Sequence, residues 1–427
     1  MTSARRIGLF GAVGIGVGSM LGAGVFSGMW ADVLAAGDWY LAAVAVAAAV
    51  ALANALSTAQ LAAAHPVAGG AYAYGRAELS AGWGLLAGAS FVVGKTVSVA
   101  VGALVLGAYV LPGHTQGVAT AAVVLAWALN ARGITRTAFG ATAIAVVVVL
   151  ALSALIVLSA TTASAGFGWF ANASASAAGG ADAGWGPPFL VACAAVFFAF
   201  AGYARIATLG EEVRDPEHTI PRAIVVALGI VVVLYVGIAQ SLHTLVALPE
   251  QALSDVPLEA LAARVGMPVW IVAVVAALSV GGAMLAVMAG AGRTAMAMAR
   301  EGDLPRVLAR QGSTGAPWRA EAVVAVLAIV LVWTQGADLI LVSVASILTY
   351  YAVANVAAMR QRRAGTTATL AVPLPVSALG LLGCVVLAAV AAPAAADSWW
   401  VLAITIAAVA GWPAVATVAR RRSRARA

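Results

Sequence analysis

The stretch from Gly14 to Phe26 reads GIGVGSMLGAGVF and lies in the middle of the first hydrophobic segment. A membrane-spanning helix ordinarily needs continuous backbone hydrogen bonds, because lipid offers no partner for a free N–H or C=O group. Glycine weakens a helix, and five glycines fall in this stretch: Gly14, Gly16, Gly18, Gly22 and Gly24. We therefore predict a helix break here that faces protein or a water-filled cavity.

A second stretch of the same kind, Phe197 to Arg205, reads FFAFAGYAR and is centred on Gly202 inside another hydrophobic segment. Two interrupted segments in matching positions of two halves indicate a midplane binding site in an inverted-repeat carrier. Three of the first-segment glycines are spaced by four, which also fits a face for close packing against a neighbouring helix. Binding and packing both stay open for these glycines.

The composition is that of a membrane protein. Hydrophobic residues make up 63% of the 427 residues and charged residues 9%, and the mean hydropathy is +1.02, which excludes a soluble domain of ordinary make-up. The net charge of +7 comes from arginines in short loops and in the tail, which indicates topology rather than nucleic-acid binding. Cys193 and Cys384 both fall in predicted spans, so we expect no disulfide. The histidines are scattered and no acidic residue falls mid-span, so no metal, cofactor or catalytic site is expected.

Windows of about 20 apolar residues predict about twelve spans, near residues 7–31, 39–63, 82–111, 116–131, 138–162, 188–213, 221–245, 268–292, 320–335, 339–358, 371–392 and 398–419. With the N-terminus inside, Lys95 and Arg205 lie within spans and Arg264 lies in an outer loop, while the rest of the 23 cations fall inside. Because inner loops collect Lys and Arg, we expect a multi-pass protein of the plasma (inner) membrane, in contact with lipid, with both termini cytoplasmic.

Four motifs carry a resemblance to a known family. They are GSMLGAGVF at 18–26, PVAGGAYAY at 66–74, FFAFAGY at 197–203 followed by GEEVRDPEHTIPRAI at 210–224, and RTAMAMAREGDLP at 293–305. In this order they resemble the amino acid-polyamine-organocation (APC) permeases, and the resemblance runs from the first span to about residue 360.

The resemblance implies an all-α integral membrane protein with a LeuT-type five-plus-five inverted repeat and broken helices 1 and 6. Residues 1–360 would form the transporter core, with repeats at about 7–162 and 188–358. Residues 361–427 would add two transmembrane helices and a short basic tail. The implied activity is secondary transport of a small molecule, an amino acid or related amine, with no cofactor.

The resemblance also implies a substrate site at the two breaks, where backbone amides hold the carboxylate of the substrate and backbone carbonyls hold its ammonium. Freed N–H groups at the start of a half-helix attract anions and freed C=O groups attract cations, so the physics agrees. Carried onto this chain, the positions are Met20, Gly22, Ala23 and Gly24 for the carboxylate, and Phe198 and Ala201, beside Gly202, for the ammonium. Phe198 would also be an aromatic lid over the substrate.

Two positions depart from the family pattern. Many proton-coupled members carry a lysine in the fifth span, where this chain has the aliphatic run Val146 to Leu150, and Ala204 stands where members often have an acidic residue. Lys95 is the chain's single lysine and lies near the middle of a predicted span. An ionisable group at that depth is functional by default, although backbone carbonyls freed at a break could also hold it. We expect Lys95 to disfavour cationic substrates, favour neutral or acidic ones, and carry the coupling proton, H+.

Arg205, Glu211 and Glu212 are candidates for an inner gate. Arg205 could instead extend its side chain to the inner water, and the glutamates could pair with a loop arginine such as Arg222.

The expected function is an amino acid transporter working by alternating access, with proton coupling. An obligate exchanger is the alternative within transport, and a membrane-embedded enzyme or a channel fits the sequence less well. Ser279 in the eighth span could supply a sodium ligand, so sodium coupling stays open.

Overall fold

A computed structural model describes residues 7–65, 69–133, 138–163, 186–207, 213–245, 256–334, 339–365 and 370–394. Within these ranges all regular structure is helical apart from a single parallel β-bridge between Ile7 and Val213. The predicted twelfth span at 398–419, the basic tail, and Glu211 and Glu212 lie outside the described residues.

The helices are numbered in chain order: α1 (Leu9–Met20), α2 (Ala23–Phe26), α3 (Met29–Leu34), α4 (Tyr40–Ala64), α5 (Ala71–Glu78), α6 (Ala81–Val110), α7 (Thr115–Ala131), α8 (Ala138–Ala163), α9 (Pro187–Phe200), α10 (Ala204–Ala207), α11 (Pro216–Leu245), α12 (Pro257–Arg264), α13 (Val269–Glu301), α14 (Trp318–Thr334), α15 (Leu339–Arg363) and α16 (Leu374–Ala394). Short 3-10 turns precede α4, join α9 to α10, and follow α13.

In the described part of the chain, nine helical segments are long and apolar enough to cross a membrane. They are Leu9–Phe26, Gly37–Ala64, Ala81–Val110, Phe139–Thr162, Pro187–Ile206, Pro216–His243, Val269–Glu301, Leu339–Arg363 and Leu374–Ala394. The predicted spans at 116–131 and 320–335 coincide with α7 and α14, which have 17 residues each. The protein is therefore a multi-span helical membrane protein.

Helix α6 is central to the packing and contacts α13, α15, α7 and α5. Much of its buried surface is Gly, Ala or Ser, and Gly94 lies so close to α15 that a β-carbon there would be 2.9 Å from Ile347. Helices gain no hydrophobic advantage by associating within lipid, so close backbone approach through small residues supplies the packing energy. The glycine- and alanine-rich composition therefore has a structural cause throughout the bundle.

Buried polar pairs join α4, α15 and α16. The Asn355 amide donates to Oδ1 of Asn54 at 2.6 Å, and the hydroxyls of Ser57 and Ser377 lie 2.9 Å apart. These side chains are fully or almost fully buried. Hydrogen bonds between spanning helices add stability that apolar contact alone does not supply in lipid.

Gly380 tests this packing, because a β-carbon there would lie 2.7 Å from Oδ1 of Asn355 and 2.8 Å from Oδ1 of Asn54. We expect Gly380→Val to destabilise the purified protein by about 1–3 kcal/mol, as overpacking typically does, and to lower its unfolding temperature in detergent. Gly229→Val is the matched control, since a β-carbon at Gly229 meets nothing within 4 Å. Equal unfolding temperatures for the two variants would contradict this account of the packing.

Candidate functional site

The first helix is interrupted inside the predicted stretch. α1 ends at Met20, the N–H of Leu21 still donates to the Val17 carbonyl at 2.8 Å, and α2 begins at Ala23. The backbone at Gly22 has φ −78° and ψ −138°, outside the helical region. A helix end leaves its last carbonyls and the next helix's first N–H groups without intrahelical partners.

Side-chain donors meet the carbonyls around this break. Ser279 of α13 donates to the Leu21 carbonyl. Further along, the Ser27 hydroxyl donates to the Gly24 carbonyl at 2.8 Å, and the Trp30 indole donates to the Val25 carbonyl at 2.9 Å. Carbonyl oxygens that the broken helix frees are therefore satisfied by the protein, as buried backbone groups require.

The second break lies directly against the first. α9 ends at Phe200, a 3-10 turn follows over Ala201–Tyr203, and α10 continues the segment. A β-carbon at Gly202 would overlap the Ser19 carbonyl and lie 2.7 Å from the Met20 nitrogen. Gly202 is needed because the two interrupted helices meet backbone to backbone at this point.

Tyr235 of α11 connects the two breaks, and no pattern in the sequence marks this residue. Its side chain is fully buried, and its hydroxyl oxygen lies 2.8 Å from the Met20 carbonyl and 3.1 Å from the Ala199 carbonyl. A phenol has one proton to donate, so the two carbonyls share a single donor. Tyr235 therefore joins the end of α1 to the end of α9.

A cavity opens beside the two breaks and contains about 480 Å³ of space free of protein atoms, part of it open to the outside. All the residues that the sequence predicts to hold substrate line it: Met20, Gly22, Ala23, Gly24, Phe198, Ala201 and Gly202. Lys95 of α6 lines it too. Residues far apart in the sequence are thus brought to one place.

The remaining walls were not predicted. α6 contributes Ser98 and Gly102, which follow Lys95 by three and seven residues and so lie on the same helix face, a spacing that could have identified them. α13 contributes an apolar wall of Val280, Ala283, Met284 and Val287. Within α13 the sequence had singled out only Ser279, for its hydroxyl, and the wall residues carry no chemical signal of their own.

Lys95 is the charged side chain of this lining and is 8% exposed. Its ammonium lies 5.8 Å from the centre of the Phe91 ring, which packs against Tyr350 at 4.7 Å. Among the residues that the structure describes, no carboxylate forms an ion pair with it, and no Asp or Glu lines the cavity. The described lining of the cavity therefore contains a basic side chain without a carboxylate partner.

The glycines of α1 divide between packing and the site. A β-carbon at Gly14 would meet Thr142 of α8 at 2.6–2.7 Å, and one at Gly18 would lie 3.4 Å from Ala145 of the same helix. Gly22 instead faces Ala283 of the cavity wall. The packing interpretation therefore describes the first two positions, and the third lies in the cavity lining.

Of the three inner-gate candidates, Arg205 belongs to the described residues, and it lies away from the cavity. Arg205 is partly buried on α10 and does not line it. A different charged cluster joins α5 to the end of α13: Arg76 contacts Asp303 at 3.0 Å and Glu301 at 3.3 Å, and the Tyr72 hydroxyl donates to Asp303 at 2.8 Å. Burial and the Asp303 carboxylate raise the pKa of Tyr72, so this phenol remains a donor at neutral pH.

Gly22 tests the position of the break relative to the cavity. A β-carbon there would lie 2.7 Å from that of Ala283, and the rest of a leucine side chain would occupy the cavity. We expect Gly22→Leu to insert into the membrane but to lose the transport activity that the sequence predicts. Gly290→Leu, where a β-carbon meets nothing within 4 Å, should transport normally. Normal uptake by Gly22→Leu would mean that the site is elsewhere.

Tyr235→Phe keeps the ring and removes the hydroxyl that the two breaks share. Loss of a hydrogen bond worth about 1 kcal/mol should slow turnover by about fivefold, because the two half-helix ends are no longer held together. Tyr40→Phe is the control, since the Tyr40 hydroxyl also bonds between helices, to Gln240 of α11, whereas the Tyr235 hydroxyl bonds to the carbonyls at the two breaks. Equal turnover in the two variants would assign Tyr235 to general packing.

Comparison with known proteins identifies the family of the chain. The family model described as amino acid permease matches residues 7–412. The chain is 43% identical over 392 residues to the uncharacterized transporter Rv1999c of Mycobacterium tuberculosis, an alignment that covers 90% of this chain and 86% of that protein.

Shorter alignments are found with two transporters of Bacillus subtilis. The branched-chain amino acid permease BcaP is 28% identical over 122 residues, which are 28% of this chain and 26% of BcaP. The methylthioribose transporter is 29% identical over 123 residues, with the same coverage. With the family model spanning nearly the whole chain, the protein belongs to the amino acid permease family of the APC superfamily and is a membrane transporter, not an enzyme.

Proposed function

We propose that the protein is a secondary active transporter that moves amino acids across the plasma membrane by alternating access. Neutral and acidic amino acids are favoured over cationic ones. The proposal includes the five-plus-five repeat, twelve helices with both termini cytoplasmic, a core of residues 1–360 and two further helices in 361–427. The observation that carries it is the cavity at the two helix breaks, lined by all seven residues expected to hold substrate.

The backbone at the first break favours a carboxylate. Side chains satisfy the Met20, Leu21 and Gly24 carbonyls, whereas the first N–H groups of α2 have no intrahelical acceptor. The break therefore offers backbone N–H groups as donors, and converging backbone N–H groups attract anions. The α-carboxylate of an amino acid is the matching group.

The second break supplies the partner for the substrate's ammonium. Phe198 and Ala201 both line the cavity, and the Ala201 carbonyl has a weak contact, 3.5 Å, with the Tyr351 hydroxyl. A carbonyl with spare accepting capacity beside an aromatic ring suits an ammonium. A zwitterion would thus have its two charges matched by the two breaks.

Proton coupling through Lys95 is the favoured mode, because this lysine lies in the cavity where a proton could accompany substrate. Obligate exchange is the second candidate, supported by the aliphatic run at Val146 to Leu150 in place of the family's coupling lysine. Counterflow in proteoliposomes without a pH gradient occurs in either mode. Net uptake driven by an imposed pH gradient is expected only for the proton-coupled transporter.

The function is tested by a thermal-shift screen of the purified protein against amino acids and amines, followed by uptake into proteoliposomes, since a specific ligand stabilises the folded state by mass action. Phe198→Ala should weaken binding and slow turnover, because Phe198 is the aromatic side chain lining the cavity, and Phe198→Tyr and Phe198→Trp should retain activity. An equal loss of activity in the Ala and Tyr variants would indicate that Phe198 contributes only to packing. The absence of any shift or uptake with amino acids would overturn the proposed substrate class.

A further inference from the structure

Lys95 lines the cavity, and among the described residues no carboxylate forms an ion pair with it. The helices packed against α6 bring the following titratable groups: Tyr350, Tyr351, Arg360, Arg362 and Arg363 on α15, Tyr72, Tyr74, Arg76 and Glu78 on α5, Arg293, Arg300 and Glu301 on α13, and Arg319 and Glu321 on α14. None of these lines the cavity. In the described chain the ammonium's contact is the Phe91 ring at 5.8 Å. A buried ammonium is unfavourable unless an anion accompanies it, so the missing anion has to come from the ligand.

We infer that the substrate is an amino acid with an acidic side chain, and that its side-chain carboxylate binds Lys95 while its α-carboxylate binds the break at Gly22 to Gly24. The inference rests on the proposed function and specifies its substrate. Binding then supplies the carboxylate with which Lys95 forms an ion pair. Charge-assisted hydrogen bonds of this kind are stronger than hydrogen bonds between neutral groups.

The spacing of the two groups fits this substrate. A β-carbon at Gly102 of α6 would lie 3.7 Å from that of Ala23, so Gly102 marks the level of the break. Lys95 is seven residues earlier, about 10 Å along the helix axis. The Lys95 side chain and a short dicarboxylic amino acid, with a charge-assisted hydrogen bond at each end, can together bridge this distance. The flexible lysine stem lets the ammonium leave the Phe91 ring to meet it.

The same arrangement couples the substrate to a proton. When the cavity is empty, burial without a counter-charge favours the neutral amine; when the side-chain carboxylate arrives, it favours the ammonium. Lys95 therefore takes up one proton from the side on which the substrate enters and releases it when the substrate leaves. The coupling is reciprocal, as linkage requires: bound substrate favours protonation of Lys95, and protonated Lys95 favours substrate binding by the same factor. An acidic amino acid with net charge −1 and one proton cross together, so the transported charge sums to zero.

Isosteric ligand pairs test the inference on the full-length protein in detergent by calorimetry. Glutamate should bind at least about tenfold more tightly than glutamine, and aspartate more tightly than asparagine. Calorimetry in buffers of different ionisation enthalpy should show about one proton taken up per glutamate bound. Equal affinity for glutamate and glutamine would overturn the inference and leave the proposed function standing, whereas no binding of any amino acid would overturn both.

Lys95→Met keeps the side-chain length and removes the charge. It should abolish the preference for glutamate and the proton uptake while still binding glutamine. Thr96→Val is the matched control on the same helix, because the Thr96 hydroxyl bonds to its own backbone at Val92 and does not line the cavity. Glutamate preference or proton uptake retained in Lys95→Met would contradict the role of Lys95. In proteoliposomes of the unaltered protein, glutamate uptake should be insensitive to an imposed membrane potential, and a strong dependence on that potential would contradict the coupling step.

Discussion

The structure depends on one constraint: a helix that breaks inside a membrane exposes backbone groups that lipid cannot satisfy. The break between α1 and α2 is tolerated because donors from three other places reach its carbonyls. Tyr235 reaches Met20, Ser279 reaches Leu21, and Ser27 turns back to Gly24. The break is thus embedded in α11 and α13, and those helices are arranged to serve it.

That arrangement requires close approach, which small residues permit. Gly202 lets the second break contact the backbone of the first, and Gly24 lets α2 lie against Ala199 of α9. The large buried aromatics fill the space around these contacts, with Trp30 and Phe200 both packed on the Tyr235 ring at 6.1 and 5.0 Å. Small residues where backbones meet and large ones beside them give the site a fixed geometry.

Much of the candidate site could be predicted because its signal is local. Glycines inside two apolar segments indicate the two breaks without any knowledge of tertiary contacts. A lysine such as Lys95 in the middle of a predicted membrane span is equally easy to recognise. The resemblance to APC permeases, confirmed by the family match, supplied the roles of Met20 and Phe198 as predictions. The role of Tyr235 could not be predicted, because a tyrosine in an apolar helix does not reveal which carbonyl, 215 residues away in the sequence, its hydroxyl contacts. The apolar wall that α13 contributes to the cavity could not be predicted for a similar reason. Its residues are of the same types as lipid-facing residues and differ from them only in their tertiary contacts.

The electrostatics of the cavity follow from these contacts. At the first break the carbonyls are occupied by side-chain donors, so the backbone contributes mainly N–H groups and a positive potential. Lys95 adds a basic group to the same cavity, and a low dielectric strengthens its attraction for an anion once it is protonated. Inserting a lysine at the depth of a spanning helix costs about 3 kcal/mol or more, and Ser98 on the next turn of α6 is engaged with Ser343 rather than with the ammonium. A methionine at position 95 would not carry this insertion cost. The buried lysine therefore fits the acidic substrate inferred above, because a ligand that brings the opposite charge offsets the free-energy cost of burying the ammonium.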